Sequence, residues 1–302
     1  MALTCRLIDL GVWLDEGYRI PEAKRKTMFR KTTGTILCPS CGRLTSAEAA
    51  QCLVCGRRNP GMWGFAAPLR ALFGRSSFTN VVTAACIAAY VVSLLLDPRA
   101  AFSAHGLFDA FSPSNAALAA LGGAGAVPWQ LGHWWTIFTG IYLHGGILHI
   151  LFNVLWIRQL GPAVEQLFGP ARLVVIFTVA GAVGFIVSNW VGHPFTIGAS
   201  GAVFGLLGAI VAFGKKRGGA FGAMVLRQYG YMALLIFLLS FFMRAVNNAA
   251  HAGGFVGGLL AGLLISLAEQ RRETALDWVL AIACIGVTLA GFVFSLWSTF
   301  VG

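Results

Sequence analysis

Apolar segments of membrane-spanning length recur along this chain, and they constrain its fold more than any other feature. A helix needs about 20 mostly apolar residues, within a range of ~17–25, to cross the hydrocarbon core of a bilayer. Charged residues make up 11% of the chain, whereas a soluble domain carries about 25%. The sequence therefore predicts an all-α, polytopic membrane protein. Its seven predicted spans lie near 78–96, 141–160, 171–192, 200–214, 229–246, 250–268 and 278–298.

The positions of the basic residues predict how these spans are oriented. If the N-terminus is cytoplasmic, Arg99 and Arg244 are the two exceptions among 22 Lys and Arg residues that otherwise lie on the cytoplasmic side. Loops rich in Lys and Arg stay in the cytoplasm, so we expect a cytoplasmic N-terminus and, with an odd number of spans, a C-terminus outside. No secretory signal peptide is visible, so the first span would direct insertion. The basic N-terminal region is assigned to topology, and nucleic acid binding is disfavoured.

Polar residues lie at matching ends of three of the apolar segments. His149 and Asn153 are four residues apart and therefore share one face of the second span. Ser200 opens the fourth span, and His251 lies near the start of the sixth. In the predicted orientation all three spans run from outside to inside, so these side chains converge near the outer face. Polar groups inside a membrane are costly, and they usually have a function.

These residue types suit hydrolysis by a serine nucleophile. A hydrogen-bonded histidine can take the proton of a serine hydroxyl near neutral pH, and a serine at a helix N-terminus meets unpaired backbone N–H groups. Glycines repeat every fourth residue from Gly201 and from Gly254, a spacing that lets membrane helices pack closely. No Asp or Glu lies beside the polar residues, so the sequence favours a dyad of Ser200 and His251 over a triad.

Four motifs together resemble the rhomboid family of intramembrane serine proteases: His144, His149-x-x-x-Asn153, Gly198-x-Ser200-Gly201 and Ala250-His251-x-x-Gly254-x-x-x-Gly258. The resemblance covers roughly residues 78–298, and it implies a six-helix rhomboid core followed by a seventh transmembrane helix. It also implies that proteolysis needs no cofactor. The roles that it implies are the nucleophile for Ser200, the general base for His251, and the oxyanion stabilisers for His149 and Asn153.

One position departs from the family pattern. Many rhomboids carry Trp-Arg in the loop after the first span, where this chain has Trp135-Thr136. That pair is structural rather than catalytic, so the difference bears on loop stability or substrate gating more than on activity.

The resemblance implies an endopeptidase that cleaves single-span transmembrane proteins in the lipid bilayer, near its outer face. The alternative is a non-proteolytic, rhomboid-like helix-binding protein, which the intact pair of Ser200 and His251 disfavours. A transporter or channel would place polar residues along a path across the bilayer, whereas here they cluster at one end.

Four cysteines in the basic N-terminal region have the spacing of metal ligands. They form two C-x2-C pairs separated by ten residues: Cys38, Cys41, Cys52 and Cys55. Such pairs suit tetrahedral coordination of Zn²⁺ by thiolates, as in small zinc ribbons. A cytoplasmic location opposes disulfides, and four thiolates close the coordination sphere, so we expect a structural zinc rather than a catalytic one. A redox role for the two pairs is the alternative.

These patterns divide the chain into five parts. The parts are a basic N-terminal segment at 1–37, a zinc-ribbon-like module at 38–60, a linker at 61–77, a rhomboid core at 78–268, and a seventh transmembrane helix with its tail at 269–302. We expect the zinc-ribbon-like module to contact a cytoplasmic protein or the lipid surface.

Overall fold

The computed structural model describes residues 32–38, 43–56, 58–61, 77–102, 111–242, 246–266 and 273–300. The chain divides into two units, 1–74 and 75–302. In the first unit, strands β1 (Thr35–Leu37) and β2 (Leu44–Ser46) pair as an antiparallel hairpin. Ile36 and Ala47 are buried together and form a small apolar cluster beside it.

The second unit is built from helices. Short helices occupy the connection between its first two long ones, and a 3-10 turn at Gly140–Tyr142 ends that connection. In chain order the helices are α1 (Ser77–Leu96), α2 (Pro98–Phe102), α3 (Asn115–Ala120), α4 (Ala126–Gln130), α5 (Thr136–Thr139), α6 (Ile147–Phe168), α7 (Pro170–Val191), α8 (Ser200–Arg217), α9 (Gly219–Ser240), α10 (Asn248–Ser266) and α11 (Ala275–Phe300).

Six helices in the described residues are long and apolar enough to cross a membrane, namely α1, α6, α7, α9, α10 and α11. Helix α8 has 18 residues, but it is not one of these six because its last turn carries three charged residues, Lys215, Lys216 and Arg217. Almost every residue of α8 from Gly201 to Gly214 is buried among the neighbouring helices. The predicted all-α, multi-pass membrane protein is therefore confirmed.

The second predicted span begins later in the structure than expected. It was placed at 141–160, whereas α6 runs from Ile147 to Phe168. Gly140–Tyr142 forms a separate 3-10 turn, and Leu143, which ends it, is extended. An apolar run thus continues across a break in the helical backbone, and hydropathy alone does not detect such a break.

The fifth predicted span is displaced along the chain. It was expected at 229–246, whereas α9 is Gly219–Ser240. Arg227 and Gln228 lower the hydropathy of its first half, but both side chains are exposed on the surface of the helix. Helix formation depends on backbone hydrogen bonds and packing rather than on apolar character, so these residues lie within α9 and not in a loop.

Helices α8 and α10 run parallel and touch at their glycines. A β-carbon on Gly254 would collide with the carbonyl oxygen of Gly201, and one on Gly258 would collide with that of Gly205. Only glycine permits backbones to approach this closely. The predicted close packing of these two helices is confirmed, and it brings their first turns together.

Helix α7 runs antiparallel to α8 and α10 and packs against both. A β-carbon on Gly205 would collide with the side chain of Ala180, and one on Gly184 would lie 2.6 Å from the carbonyl oxygen of Ala250. The interior of a helix bundle is densely packed, so these contacts resist small displacements. Helix α7 therefore holds the first turns of α8 and α10 in place.

Charged groups join helix α11 to the start of α7. The Glu273 carboxylate accepts hydrogen bonds from the backbone N–H groups of Ala171 at 2.8 Å and Arg172 at 3.3 Å. The first N–H groups of a helix have no acceptor within it, and negative charge is favourable there. The Arg172 guanidinium also pairs with the Asp277 carboxylate at 3.1 Å. These contacts fix one end of α11 against α7.

Candidate active site

Ser200 and His251 are hydrogen-bonded to each other. The distance between Nε2 of His251 and Oγ of Ser200 is 2.8 Å. Ser200 is the first residue of α8, and His251 is the fourth residue of α10. The contact between Gly201 and Gly254 lies beside this pair, so the glycine packing brings the two side chains within bonding distance.

The segment before Ser200 turns sharply into α8. Gly198 has a φ of +119°, a conformation that favours glycine over residues with a β-carbon. Its backbone N–H donates to the carbonyl oxygen of Gly140 at 2.9 Å, and the first bond of the helix runs from the N–H of Val203 to the carbonyl of Ala199. The N–H groups of Ser200, Gly201 and Ala202 therefore have no acceptor within the helix, and they lie beside the serine hydroxyl.

Packing orients the His251 imidazole. Its ring stacks on Phe204, with centroids 4.4 Å apart and planes 25° apart, and Phe204 lies one helical turn after Ser200. If Nε2 accepts the hydrogen of the serine hydroxyl, the neutral ring carries its own hydrogen on Nδ1. Within the described residues, Nδ1 of His251 is buried without a hydrogen-bond partner. The described part of the site is thus a hydrogen-bonded pair of side chains.

His149 presents a hydrogen-bond donor to the same place. Its Nδ1 accepts a hydrogen bond from the backbone N–H of Gly145 at 3.3 Å, so a neutral ring carries its hydrogen on Nε2. A β-carbon on Gly198 would lie 2.6 Å from that Nε2. The donor therefore faces the peptide segment that leads into Ser200, and the missing side chain of Gly198 makes room for it.

Asn153 lies one turn further along α6 and is buried. Its Nδ2 donates to the backbone carbonyl of His149 at 2.9 Å, which uses one of its two amide hydrogens. His144 supports His149 from the other side, because its buried ring lies edge-on to that of His149 with centroids 5.0 Å apart. The structure thus places Ser200, His251 and His149 at one site, with Asn153 directly behind His149.

A polar cluster behind this site was not predicted from the sequence. Nδ2 of Asn247 donates to Oγ of Ser188 at 2.5 Å and to Oγ1 of Thr196 at 2.9 Å, and the two hydroxyls are 2.9 Å apart. Oδ1 of Asn247 accepts from the N–H of Ala250 at 3.1 Å, so Asn247 caps α10. An asparagine just before an apolar helical pattern is a helix-start signal, but that signal does not indicate partners on other segments.

Three of the four predicted zinc ligands are close together in the N-terminal unit. The thiol sulfurs of Cys38, Cys52 and Cys55 lie within 4.8 Å of one another, and those of Cys38 and Cys55 are 3.7 Å apart. Cys41 falls among residues 39–42, outside the described part of the chain. Hydrogen bonds from the backbone at Cys55 and Val54 lower the pKa of the Cys52 thiol to about 6. Clustered sulfurs and a thiol that ionises readily fit a metal such as Zn²⁺.

Comparison with known proteins gives a consistent result over the helical unit. Residues 131–268 match the family model of the Rhomboid domain. The rhomboid protease GluP of Bacillus subtilis is 37% identical over 129 residues, which cover 40% of this chain and 24% of the relative. The rhomboid protease GlpG of Salmonella paratyphi A is 34% identical over 123 residues, which cover 39% of this chain and 44% of the relative.

A plant protein is also similar. RHOMBOID-like protein 1 of Arabidopsis thaliana is 39% identical over 79 residues, which cover 26% of this chain and 20% of the relative. The chain spans less than two thirds of the length of the first curated relatives it matches. The predicted resemblance is confirmed, and the matched residues 131–268 include the helices that carry the site.

Proposed function

We propose that this chain is a member of the rhomboid family and an intramembrane serine endopeptidase with Ser200 and His251 as its catalytic dyad. The observation that carries the proposal is the 2.8 Å hydrogen bond between Oγ of Ser200 and Nε2 of His251. A serine hydroxyl is a weak nucleophile until a base takes its proton. A histidine in direct contact is the side chain best suited to do so near neutral pH.

The reaction proceeds in two stages. Oγ of Ser200 attacks the carbonyl carbon of a peptide bond while Nε2 of His251 takes its proton, and the protonated histidine then gives that proton to the leaving amine. A water then attacks the acyl-enzyme while His251 takes its proton, and His251 returns that proton to Oγ of Ser200 as the carboxylic acid product leaves. Nδ1 of His251 has no carboxylate beside it among the described residues, so the stack on Phe204 supplies orientation.

Hydrogen-bond donors beside Ser200 suit the negative oxygen of the tetrahedral intermediate. The candidates are the Nε2–H of His149 and the backbone N–H groups at the start of α8, with the second amide hydrogen of Asn153 behind them. Fixed donors in a water-poor site stabilise a developing charge strongly, because they need no reorganisation during the reaction.

The orientation and the substrate are part of the proposal. We place the N-terminus in the cytoplasm and the C-terminus outside, which puts Lys215, Lys216 and Arg217 at the cytoplasmic surface. The 18 residues of α8 extend about 27 Å at ~1.5 Å per residue, so Ser200 at the opposite end lies near the outer face. A single-span membrane protein would reach it there, and helix-breaking residues would expose its peptide bond.

Covalent labelling tests the proposal. A fluorophosphonate reacts with an activated serine when Oγ attacks phosphorus and fluoride leaves. We expect the full-length protein in detergent or lipid to label, and Ser200→Ala and His251→Ala to lose that labelling. Ser298→Ala is a matched control, because the Ser298 hydroxyl only bonds the backbone of its own helix. Equal labelling of wild type, Ser200→Ala and His251→Ala would exclude the protease and favour the helix-binding alternative.

The N-terminal module has its own proposed role. Cys38, Cys41, Cys52 and Cys55 would hold a structural Zn²⁺, supported by the sulfur cluster of the three described cysteines. Bound zinc would supply the folding energy that so short a segment lacks. The proposed partner of the module is a cytoplasmic protein or the lipid surface.

A further inference from the structure

We propose that Asn247 is a positioning residue that sets the hydrogen bond between Ser200 and His251. The inference rests on the dyad proposed above and assigns a role to a residue that does not touch the reacting atoms. Asn247 directly precedes α10, four residues before His251. Its side chain lies between that helix and the segment that leads into Ser200.

The amide of Asn247 joins three segments of the chain. Oδ1 accepts from the backbone N–H of Ala250 at 3.1 Å and so caps α10. Nδ2 donates to Ser188 near the end of α7, at 2.5 Å, and to Thr196 in the segment before α8, at 2.9 Å. A neutral primary amide has two donor hydrogens and one carbonyl acceptor. These contacts therefore use both hydrogens and the oxygen.

The partners of Asn247 are themselves fixed. Ser188 and Thr196 are buried, and their hydroxyl oxygens are 2.9 Å apart. The backbone N–H of Thr196 also donates to the carbonyl oxygen of Ala124 at 2.7 Å. The side chain of Asn247 is thus bonded to a rigid part of the bundle rather than to a free loop.

These contacts connect the segment before Ser200 to the residue that precedes the first turn of α10, which carries His251. Thr196 lies four residues before Ser200, and the backbone carbonyl of Asn247 accepts from the N–H of His251 at 3.2 Å. Release of the Asn247 side chain would let the first turn of α10 shift relative to the first turn of α8. A displacement of about 1 Å at reacting groups can cost ~100-fold in rate.

The decisive variant separates helix capping from the bonds between segments. Asn247→Ser keeps a side-chain oxygen that caps a helix well, but its side chain is too short to reach Ser188 and Thr196. We measure fluorophosphonate labelling over a range of probe concentrations, together with thermal unfolding. The expected result is a limiting labelling rate at least about tenfold lower, with an unchanged half-saturating probe concentration and a melting temperature near that of wild type.

Two further measurements separate positioning from general stability. Ser188→Ala combined with Thr196→Val removes both acceptors and should lower the limiting rate as much as Asn247→Ser does. Adding Asn247→Ser to that pair should cause no further loss, because residues that act as one unit are not additive. Ser114→Ala is the matched control, because it removes a comparable cap from α3, and it should label like wild type.

The outcomes are distinguishable. A wild-type limiting rate in Asn247→Ser would overturn the role of Asn247 while leaving the protease intact. If Asn247→Ser does not fold, Thr196→Val decides, because it keeps the cap and nearly the same volume, and a wild-type rate in it overturns the inference. Wild-type protein that labels no faster than Ser200→Ala removes the proposed function and, with it, this inference.

Discussion

Trp135 donates a hydrogen bond from its indole Nε1 to Oγ of Ser295, 160 residues later in the chain, at 3.0 Å. Ser295 is buried in α11, and the Trp135 ring also packs against Phe294 with centroids 5.6 Å apart. Trp135 and Thr136 stand at the position in the loop after the first span where many rhomboids carry Trp-Arg. In this protein the seventh long helix, α11, contacts that loop through Trp135.

Loss of this hydrogen bond should destabilise the protein. Ser295→Ala leaves the partly buried indole N–H without its partner, and an unsatisfied polar group costs up to about 1–3 kcal/mol when it is fully buried. We expect a lower midpoint of thermal unfolding in detergent. Ser298→Ala, three residues further along the same helix, removes only a bond to its own backbone and should change the midpoint little. Equal midpoints for wild type and Ser295→Ala would show that the bond contributes nothing to stability.

A β-carbon at the contact between α8 and α10 should lower activity strongly. In Gly254→Ala the new methyl group would meet the carbonyl oxygen of Gly201, so the two helices must separate beside Ser200. Overpacking of this kind costs about 1–3 kcal/mol, and a displacement of ~1 Å at the dyad costs ~100-fold in rate. Fluorophosphonate labelling and thermal unfolding measure the two effects.

The matched control for that change is Gly286→Ala. A β-carbon on Gly286 would meet nothing within 4 Å, and replacing glycine by alanine inside a helix favours the helix by up to ~1 kcal/mol. We expect wild-type labelling and an equal or slightly higher unfolding midpoint. Full labelling by Gly254→Ala would mean that the dyad tolerates separation of the helices.

The pairing of Ser200 with His251 could be predicted because the signals involved are local. A polar residue in an apolar segment can be recognised from the sequence alone, and so can glycines that repeat at every fourth position. The bond of 2.8 Å between the two side chains agrees with that prediction. The roles of His149 and Asn153 stay predictions, although His149 lies where such a role requires.

The rest could not be predicted because it depends on contacts between distant segments. Ser188, Thr196 and Asn247 are ordinary polar residues near the ends of helices, and they form a cluster only once α7 and α10 pack together. The bond between Trp135 and Ser295 joins two segments that share no sequence pattern. The start of α9 was not predicted for another reason. Arg227 lowers the mean hydropathy of the residues around it, so the first half of the helix did not stand out as a membrane span.

His149 should matter for the rate more than for binding. Its Nε2 would lie 2.6 Å from a β-carbon on Gly198, two residues before α8, and loss of one oxyanion donor typically lowers kcat about 10²–10³-fold. We expect His149→Ala to lower kcat for a transmembrane reporter substrate by that factor with a nearly unchanged KM. Asn153→Ala should have a smaller effect, because one of its amide hydrogens is already bound to the His149 carbonyl. A raised KM with an unchanged kcat would instead assign His149 to substrate binding.

Zinc content should depend on the four proposed ligands, Cys38, Cys41, Cys52 and Cys55, and not on the other cysteines of the chain. Each thiolate supplies one bond to a tetrahedral ion, so Cys38→Ser and Cys52→Ser should each lose most of the zinc that elemental analysis finds in the purified full-length protein. Cys284→Ser is the matched control, because Cys284 lies in α11 and outside the cluster, and it should retain the metal. Labelling of Ser200 should survive in all three variants, since a closed set of four thiolates leaves no position for a reacting water. Unchanged zinc in Cys38→Ser and Cys52→Ser would contradict the metal site and leave a redox role for the cysteine pairs.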